Sequence, residues 1–507
     1  MQTGAQVLAD MLAGYGVSHV FMVPAVLRRT FAEMERRTQI ARIHCHGEKA
    51  AAYMADGYAR ASGKPGICMA QVVGALNLAA GLRDAYLAHS PVIAFTGGRD
   101  PKTKFRKVYQ EIDDVPSFEP VTKWNATVDA VERFPDMVRQ AFRVATSGAP
   151  GPVHLQFRGN EGQVDQEETD AALLIEEQFA RVPAFRPPAD AEELKKLLYW
   201  LERSERPVIV AGGGVRASGA GAELVHLAEA LGIPVATSLN GKDSIPASHA
   251  LAVGVVGSYS RESANRVVAA ADLVCFVGTS AGGMTTHVWQ VPKIGVAAVQ
   301  IDIEPETIGR NYPLKAGVMG DAKLCLAALA KLADRGTSSK RKIWLEDVRR
   351  ICGEWREKYR SALESDAVPI RPERMCMELS RHLPEDAIVR SDTGDAGLWY
   401  HIGELETAVR WNIAAVTVVN NNASGNQSKR GFDRAYGGEQ TAKARELWTY
   451  RMVDLARVAT DIGALGIRVE RPAEIAPALE KALASGRPAL IDVATDIEAI
   501  APVAVSS

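Results

Sequence analysis

Short apolar segments alternate with longer amphipathic segments along the chain, a pattern typical of parallel β-sheets covered by helices on both faces. In the first third, helices are predicted over residues 4–15 and 48–62. The apolar segments that predict strands there are 17–23, 40–45, 66–72, 91–96 and 151–157. This part of the chain is therefore predicted to be an α/β domain.

Two polar or proline-rich segments divide the remainder. The segment 183–188 predicts a stiff linker, 336–340 predicts a second one, and a long helix is predicted over 343–363. Strands are predicted at 207–211, 233–236, 273–277, 297–301, 387–390, 414–419 and 489–493. The chain is thus predicted to form three doubly wound parallel-sheet domains: an N-terminal domain 1–182, a central domain 190–335 and a C-terminal domain 341–507.

Composition and charge exclude several classes of protein. The 507 residues include 59 Lys and Arg and 61 Asp and Glu, a net charge of −2, which gives no electrostatic basis for binding nucleic acid or a membrane surface. An uncharged apolar stretch of about 18 residues, which a membrane span needs, does not occur. The six cysteines form no C-x-x-C pair, and the first residues lack a signal-peptide pattern, so a cytoplasmic protein is expected.

Two polar segments in the last domain carry candidate chemistry. Gly394-Asp395-Ala396-Gly397 and Asn420–Gly425 each follow a predicted strand. In a parallel sheet, ligands bind beyond the carboxyl ends of the strands. The carboxylate of Asp395 and the amide oxygen of Asn422 suit Mg²⁺ or Ca²⁺ bridging to a diphosphate, and small residues allow phosphate to approach the backbone. Taken singly, each segment is better explained as an ordinary turn, and the pair together is the more specific signal.

Glu48 begins a predicted helix directly after a predicted strand. The simple explanation is that its carboxylate interacts favourably with the helix dipole. The alternative is that the small residues that follow partly bury the carboxyl group, so that it can hold a proton for catalysis. His44 and His46 lie nearby without a third ligand and are discounted as a metal site.

The segment Gly212–Ala217 fits the dinucleotide pattern G-x-G-x-x-A. The acidic residue expected after the next strand is absent, since that strand leads into Thr237-Ser238-Leu239-Asn240. A glycine-rich turn that packs a helix on the sheet is therefore favoured over an NAD site.

Together these residues resemble the thiamine diphosphate enzymes of the acetolactate synthase-like superfamily, which includes acetohydroxyacid synthases, 2-keto-acid decarboxylases and 2-hydroxyacyl-CoA lyases. The resemblance covers essentially the whole chain. It rests on Val20-Phe21 with Pro24 and on segments 46–60, 74–78, 110–113, 120–123, 301–305, 308–311 and 394–422.

The resemblance implies a fold, a cofactor and site residues. Two thiamine diphosphate-binding domains would flank a Rossmann-like central domain. Glu48 would hydrogen-bond the aminopyrimidine and Gln110 would be catalytic, while Mg²⁺ would be held by Asp395, the Asn422 side chain and the Ser424 carbonyl. Cofactor contacts are implied for Pro24, Glu48, Gly74, Asn77, Gly394, Asp395, Ala396, Gly397, Asn422, Ser424 and Gly425, and a substrate pocket for Val23, Ala25, Val26, Gln71 and Gln110.

The resemblance also implies a site shared between subunits, with a homodimer as the minimum and a homotetramer expected. The expected activity is C–C bond formation or cleavage on 2-keto acids such as pyruvate. A 2-hydroxyacyl-CoA lyase or 2-keto-acid decarboxylase is an alternative, as is a non-catalytic cofactor-binding relative. Lys102, Lys104, Arg106 and Lys107 would hold CoA phosphates in a lyase, or form a solvated face.

The sequence departs from the family pattern in several places. A segment of several dozen residues normally separates a sequence like Ser391–Gly394 from the Gly-Asp pair, and here the two are fused near 392–394. A true deletion is one explanation; our hypothesis is a disordered loop missing from the sequence as given. Asp-Ala-Gly replaces the commoner Asp-Gly-Ser. The segments 257–260 and 278–283 differ from those of FAD-containing synthases, so FAD binding is doubtful.

Overall fold

The computed structural model describes residues 1–333, 341–389 and 394–499. The chain folds into two compact units, Met1–Trp355 and a second that begins at Arg356. The segment 336–340, predicted as a linker, lies outside the described residues. Within the described part of the chain, none of the helices combines the length and apolar character needed to cross a bilayer.

The first sheet of unit 1 is parallel and has six strands among the described residues, in the order β3-β2-β4-β5-β7-β6. Its strands are β2 (His19–Met22), β3 (Ala41–His44), β4 (Gly66–Ala70), β5 (Val92–Gly97), β6 (Trp124–Val128) and β7 (Val153–Phe157). Short strands β1 (Gln2–Thr3) and β8 (Glu168–Thr169) pair separately. The helices are α1 (Gly4–Gly14), α2 (Arg28–Arg37), α3 (Glu48–Ser62), α4 (Ala75–Leu87), α5 (Val115–Phe118) and α6 (Phe134–Thr146).

The helices cover both faces of this sheet. Side chains of α1, α2 and α6 form one hydrophobic core with the strands, and side chains of α3 and α4 form another on the opposite face. Each strand predicted here is present. Strand β6 was not predicted, because this edge strand is only partly buried and lacks a continuous apolar run.

The second sheet of unit 1 has the order β11-β10-β9-β12-β13-β14 among the described residues and is also parallel. In chain order this is 3-2-1-4-5-6, the Rossmann arrangement. The strands are β9 (Pro207–Ala211), β10 (Val235–Thr237), β11 (Ala252–Val255), β12 (Leu273–Val277), β13 (Ala297–Asp302) and β14 (Leu314–Met319). The helices are α7 (Ala191–Arg203), α8 (Gly213–Ala217), α9 (Gly221–Leu231), α10 (Glu262–Ala270) and α11 (Ala322–Leu332).

The Pro-rich segment 183–188 is anchored to the second sheet's domain. Arg186 forms an ion pair with buried Asp321 at 3.0 Å and donates to the Ser218 carbonyl at 2.9 Å. A long helix, α12 (Lys342–Leu363), begins after this domain, and Trp344 donates its indole N–H to the Pro207 carbonyl at 3.0 Å. The start of α12 is therefore fixed to the strand at the centre of the second sheet.

Unit 2 contains a parallel sheet with three strands among its described residues, in the order β15-β17-β16. The strands are β15 (Val416–Asn421), β16 (Leu465–Val469) and β17 (Ala489–Ala494). The helices are α13 (Pro372–His382), α14 (Asp395–Trp399), α15 (Glu404–Arg410), α16 (Lys429–Ala435), α17 (Ala442–Arg445), α18 (Leu455–Ile462) and α19 (Ile475–Ala484). Helices α13 and α19 pack on one face, and α15 and α18 on the other.

The structure therefore has three α/β domains, as predicted, with one correction. The strand predicted at 387–390 is wrong for 387–389, which form no strand, and residue 390 lies outside the described residues. Ile388 and Val389 are 73% and 64% exposed, so their apolar side chains meet no covering layer, and a strand forms only where a partner completes its ladder. The exact domain boundaries, and the interruption near 392–394, of which only Gly394 is described, stay predictions.

Candidate functional site

The carboxyl ends of the strands in the first sheet bring several predicted site residues to one edge. Glu48 follows β3, Pro24 follows β2, and Gln71 and Gly74 follow β4. Because β3, β2 and β4 are adjacent and parallel, these residues lie side by side along the edge. The loop that carries Gln110 follows β5, the next strand across the sheet.

Glu48 contacts the turn that follows β4. Its side chain is half-buried at the first position of α3, and Asn77 donates its amide N–H to Glu48 Oε2 at 3.2 Å. A Cβ at Gly74 would lie 2.3 Å from Glu48 Oε1. A residue with a side chain at position 74 would therefore displace the carboxyl group. The structure brings Glu48, Gly74 and Asn77 together.

Gln110 lies in the long loop between β5 and α5. Its backbone is left-handed (φ 60°), and its side-chain oxygen accepts a hydrogen bond from Gln71 Nε2 at 3.0 Å. Glu111 holds the loop, because its carboxylate accepts the backbone N–H of Phe105 at 2.7 Å and of Val108 at 3.3 Å. Left-handed non-glycine residues are uncommon and cluster at functional sites.

A cavity of about 460 Å³ lies beside Gln110. Gln110, Arg99 and Arg158 are in its lining. The other predicted pocket residues are placed differently. Val26 is fully buried in the hydrophobic core, and Val23 and Ala25 are half-buried outside this lining.

In unit 2, Asp395 is 2% exposed at the start of α14. The backbone N–H groups of Asn422 and Ser424 act on its carboxylate and lower its pKa, while Oδ1 has no hydrogen-bond partner among the described residues. Burial raises the pKa of Asp395 to about 6, and the nearby charge of Asp492 adds to the rise. The two segments singled out in the sequence, 394–397 and 420–425, therefore meet.

Gly394 allows this approach. Its backbone is left-handed (φ 71°), and a Cβ there would lie 2.8 Å from the carbonyl oxygen of Asn420. Beside it, Ser424 donates its hydroxyl to Asn422 Oδ1 at 2.8 Å. The predicted contact residues Ala396 and Gly397 lie in the first turn of α14, and the N–H of Gly425 is already bonded to the Trp448 carbonyl at 2.7 Å.

Asp492 organises the end of β15 and was missed by the sequence analysis. This fully buried carboxylate accepts from Asn421 Nδ2 at 2.8 Å, from the Leu455 N–H at 2.8 Å and from Arg468 Nη1 at 2.6 Å. By holding Asn421 it orients the turn that contains Asn422. A lone aspartate inside the apolar strand 489–494 was the available signal, because a buried carboxylate needs such partners.

The donor set at Asp395 fits a hard cation. A carboxylate with one unpartnered oxygen, the Asn422 amide oxygen and the backbone of Ser424 provide the oxygen ligands that Mg²⁺ prefers. In the described residues, by contrast, no group of three or more His, Cys, Asp or Glu side chains forms a metal site.

The glycine pattern of the central domain is explained by packing. A Cβ at Gly212 would lie 2.2 Å from the Gly278 carbonyl oxygen, and one at Gly214 would lie 2.7 Å from the Gly278 Cα. The loops after β9 and β12 therefore contact each other where the strand order reverses, which favours the packing explanation.

Family models match three parts of the chain. Residues 2–117 match the model of the thiamine pyrophosphate enzyme N-terminal TPP binding domain, residues 194–329 that of the central domain, and residues 377–493 that of the C-terminal TPP binding domain. Together these matches cover most of the chain and fall on its three sheets.

Curated proteins with similar sequences include two that the chain matches over most of their length. A probable acetolactate synthase large subunit of Methanocaldococcus jannaschii is 29% identical over 555 residues, covering 97% of this chain and 92% of the relative. The glyoxylate carboligase of Escherichia coli O157:H7 is 28% identical over 535 residues, covering 92% and 88%. Acetolactate synthase 1, chloroplastic, of Oryza sativa subsp. japonica is 31% identical over 402 residues, covering 78% and 61%.

The raised pKa of Asp395 predicts a pH-dependent stability. Because the folded pKa (about 6) exceeds the ordinary value of 3.8, this group stabilises the fold below pH 3.8 and that contribution is lost as pH rises through 6. Asp395→Asn removes this ionisation. The difference in unfolding free energy, variant minus wild type, is therefore expected to rise by about 2 kcal/mol when the pH is raised from 4.5 to 7.

Urea unfolding of both proteins at the two pH values measures this gain. Asp461→Asn, at an exposed site on α18, is the matched control and is expected to show no such gain. An equal pH response of Asp395→Asn and wild type would contradict the assignment of the buried ionisation to Asp395.

Proposed function

Because the chain belongs to the thiamine pyrophosphate enzymes and is an acetolactate synthase-like, C–C bond-forming member of them, we propose that it joins two 2-keto acids with release of CO₂. One 2-keto acid loses its carboxylate, and the acyl carbon that remains forms a bond to the carbonyl carbon of the second. The products are one CO₂ and one 2-acyl-2-hydroxy acid. Pyruvate is the proposed first substrate.

The observation that carries this proposal is the cluster of Asp395, Asn422 and Ser424. A carboxylate that is 2% exposed and leaves one oxygen unpartnered is costly to bury as an ion. A bound cation repays that cost. Asp395, the Asn422 side chain and the Ser424 carbonyl would hold Mg²⁺, which would offset the negative charge of the cofactor's diphosphate.

Residues of the first domain provide the other half of the proposed site. Thiamine diphosphate, when bound, supplies a nucleophilic carbon and an electron sink for the reacting carbonyl. Glu48 is assigned to hold a proton at a ring nitrogen of the aminopyrimidine. Asn77 bonds to Oε2 and Gly74 leaves space at Oε1, so the carboxyl group has a fixed position from which to do this.

The assignments of Pro24, Gly394, Ala396, Gly397 and Gly425 to cofactor contacts remain part of the proposal. For Gly425 the contact must use something other than its N–H, which is bonded to Trp448. FAD binding to the central domain is not proposed.

We further propose that a homodimer is the minimum active unit, within a cytoplasmic homotetramer. In each site, Glu48 would come from one subunit and Asp395 from another. Symmetric two-fold dimers of this kind contain two equivalent sites.

The assay that tests the proposed function supplies thiamine diphosphate, Mg²⁺ and pyruvate, and detects CO₂ together with a C–C coupled product. Saturable formation of acetolactate is expected, and Glu48→Gln is expected to reduce kcat by about 100-fold or more, since general acid–base groups contribute on this scale. A second arm with glyoxylate tests the similarity to the carboligase.

Release of CO₂ without coupling would show a decarboxylase instead. Turnover only with a 2-hydroxyacyl-CoA ester would show a lyase, and cofactor binding with no turnover of any of these would show a non-catalytic relative.

Gly74→Ala tests the positioning of Glu48. The added methyl group would overlap the Glu48 carboxyl group, which is the movable end of a side chain, so the fold is expected to tolerate it while kcat falls by roughly 10- to 100-fold. Gly57→Ala, in helix α3 with open space around its Cβ, is the matched control and keeps its kcat. Wild-type kcat in Gly74→Ala would contradict the role of this contact.

Subunit complementation tests the shared site. Glu48→Gln and Asp395→Asn are each inactive alone, and a mixed dimer contains one site with neither substitution. After equal mixing and subunit exchange, activity of about one quarter of wild type is expected for a symmetric dimer with random pairing. Sites formed within single chains would give no recovery.

A further inference from the structure

The cavity beside Gln110 contains charged side chains that the proposed function does not yet use. We propose that this cavity is an anion-binding subsite for the carboxylate of a 2-keto acid, with Arg158 and Arg99 as the residues that bind it. This inference rests on the proposed function and names the substrate group that the site selects.

The acidic side chains around the cavity already have partners. Glu111 bonds two backbone N–H groups of its own loop, Asp100 accepts the Lys102 N–H at 2.9 Å, and Glu167 pairs with Arg158. Each carboxylate is therefore directed to a specific donor. The cationic side chains of the lining have N–H donors that these contacts do not use.

Arg158 is the strongest of these donors. Its side chain is 13% exposed, and Nη2 contacts Glu167 at 2.5 Å. The Nε–H is buried and has no partner among the described residues. Because a guanidinium has five N–H donors in a planar fork, the bond to Glu167 leaves donors for a second carboxylate. Arg158 directly follows β7, so a rigid strand fixes its position.

Arg99 supports the same subsite from the neighbouring strand. It follows β5, which pairs with β7, and its side chain is 18% exposed and paired with Asp113 at 2.7 Å. Asp113 is itself half exposed to solvent, which weakens its hold on the arginine. Two arginines from adjacent strand ends thus line one cavity together with Gln110.

The loop that contains Gln110 is close to neutral as a whole. Residues 98–114 contain five cationic side chains, Arg99, Lys102, Lys104, Arg106 and Lys107, and four acidic ones, Asp100, Glu111, Asp113 and Asp114. The preference for an anionic substrate over a neutral aldehyde therefore rests on the N–H donors of the two lining arginines and not on the overall charge of the loop.

Arg158→Gln tests the subsite in the full-length protein. Oxalate, an unreactive dicarboxylate, is titrated calorimetrically into cofactor-free protein, and KM and kcat for pyruvate are measured with thiamine diphosphate and Mg²⁺. We expect oxalate affinity to fall and KM to rise by about 10- to 100-fold, because hydrogen bonds to charged groups contribute on this scale, while kcat changes little. Arg158→Lys is expected to recover part of the affinity.

Lys104→Gln is the matched control, since it removes the same charge from the same loop outside the cavity lining. Its oxalate affinity and KM are expected to stay near wild type. Thermal melting of each variant checks that the fold is intact, and Arg99→Gln provides a second test if Arg158→Gln unfolds.

The outcomes separate the two proposals. Arg158-dependent binding of oxalate without turnover of any 2-keto acid would support the anion subsite and count against the proposed function. Turnover of pyruvate with oxalate affinity and KM unchanged in Arg158→Gln would overturn the subsite and leave the proposed function standing. Equal losses in Arg158→Gln and Lys104→Gln would also overturn it, because only the overall charge would then matter.

Discussion

A buried carboxylate with an incomplete set of partners is the constraint on which the cluster of Asp395, Asn422 and Ser424 depends. The backbone N–H groups of Asn422 and Ser424 favour the ionised form of Asp395, yet one of its buried oxygens has no hydrogen-bond partner among the described residues. Burying an ionised carboxylate in this way costs free energy that only a proton or a cation can return. Gly394 makes the arrangement possible, since any larger residue would separate Asp395 from β15.

In the first domain, close packing fixes the position of the Glu48 carboxyl group. Glu48, at the end of β3, reaches the turn after β4, where the missing side chain of Gly74 leaves room for the carboxyl group and Asn77 binds it. The position of an acid is thus set by a neighbouring strand. The Glu48 cluster uses a general property of parallel sheets, namely that the carboxyl ends of adjacent strands meet at one edge.

Much of this arrangement was predictable from the sequence. Apolar segments located the central strands, and the positions of Glu48 and Asn422 after strands indicated which edge they occupy. Edge strands such as β6 and β14 were not found, because they are only partly buried and contain no continuous apolar run. The segment 387–389 was predicted as a strand from its apolar residues, although the covering layer that a strand requires is not encoded locally.

The polar residues that position the site were harder to predict, since their roles arise from contacts between distant segments. Asp492 lies 71 residues from Asn421, which it binds, and Arg158 faces Glu167 only after the chain turns beyond β7. A lone aspartate in an apolar strand marks a buried polar contact without naming its partner. The cavity beside Gln110 likewise depends on three loops that the sequence does not place together.

The clamp formed by Glu111 has a consequence for how such a site diversifies. Its carboxylate grips only main-chain N–H groups, those of Phe105 and Val108, so the identities of the side chains at these positions do not enter the interaction. Both side chains point largely into solvent, at 82% and 42% exposure. Substitutions at Val108, which lines the cavity, can reshape it while Gln110 keeps its left-handed backbone. Side-chain atoms of this loop can therefore change with the ligand, while its main-chain atoms keep the loop conformation.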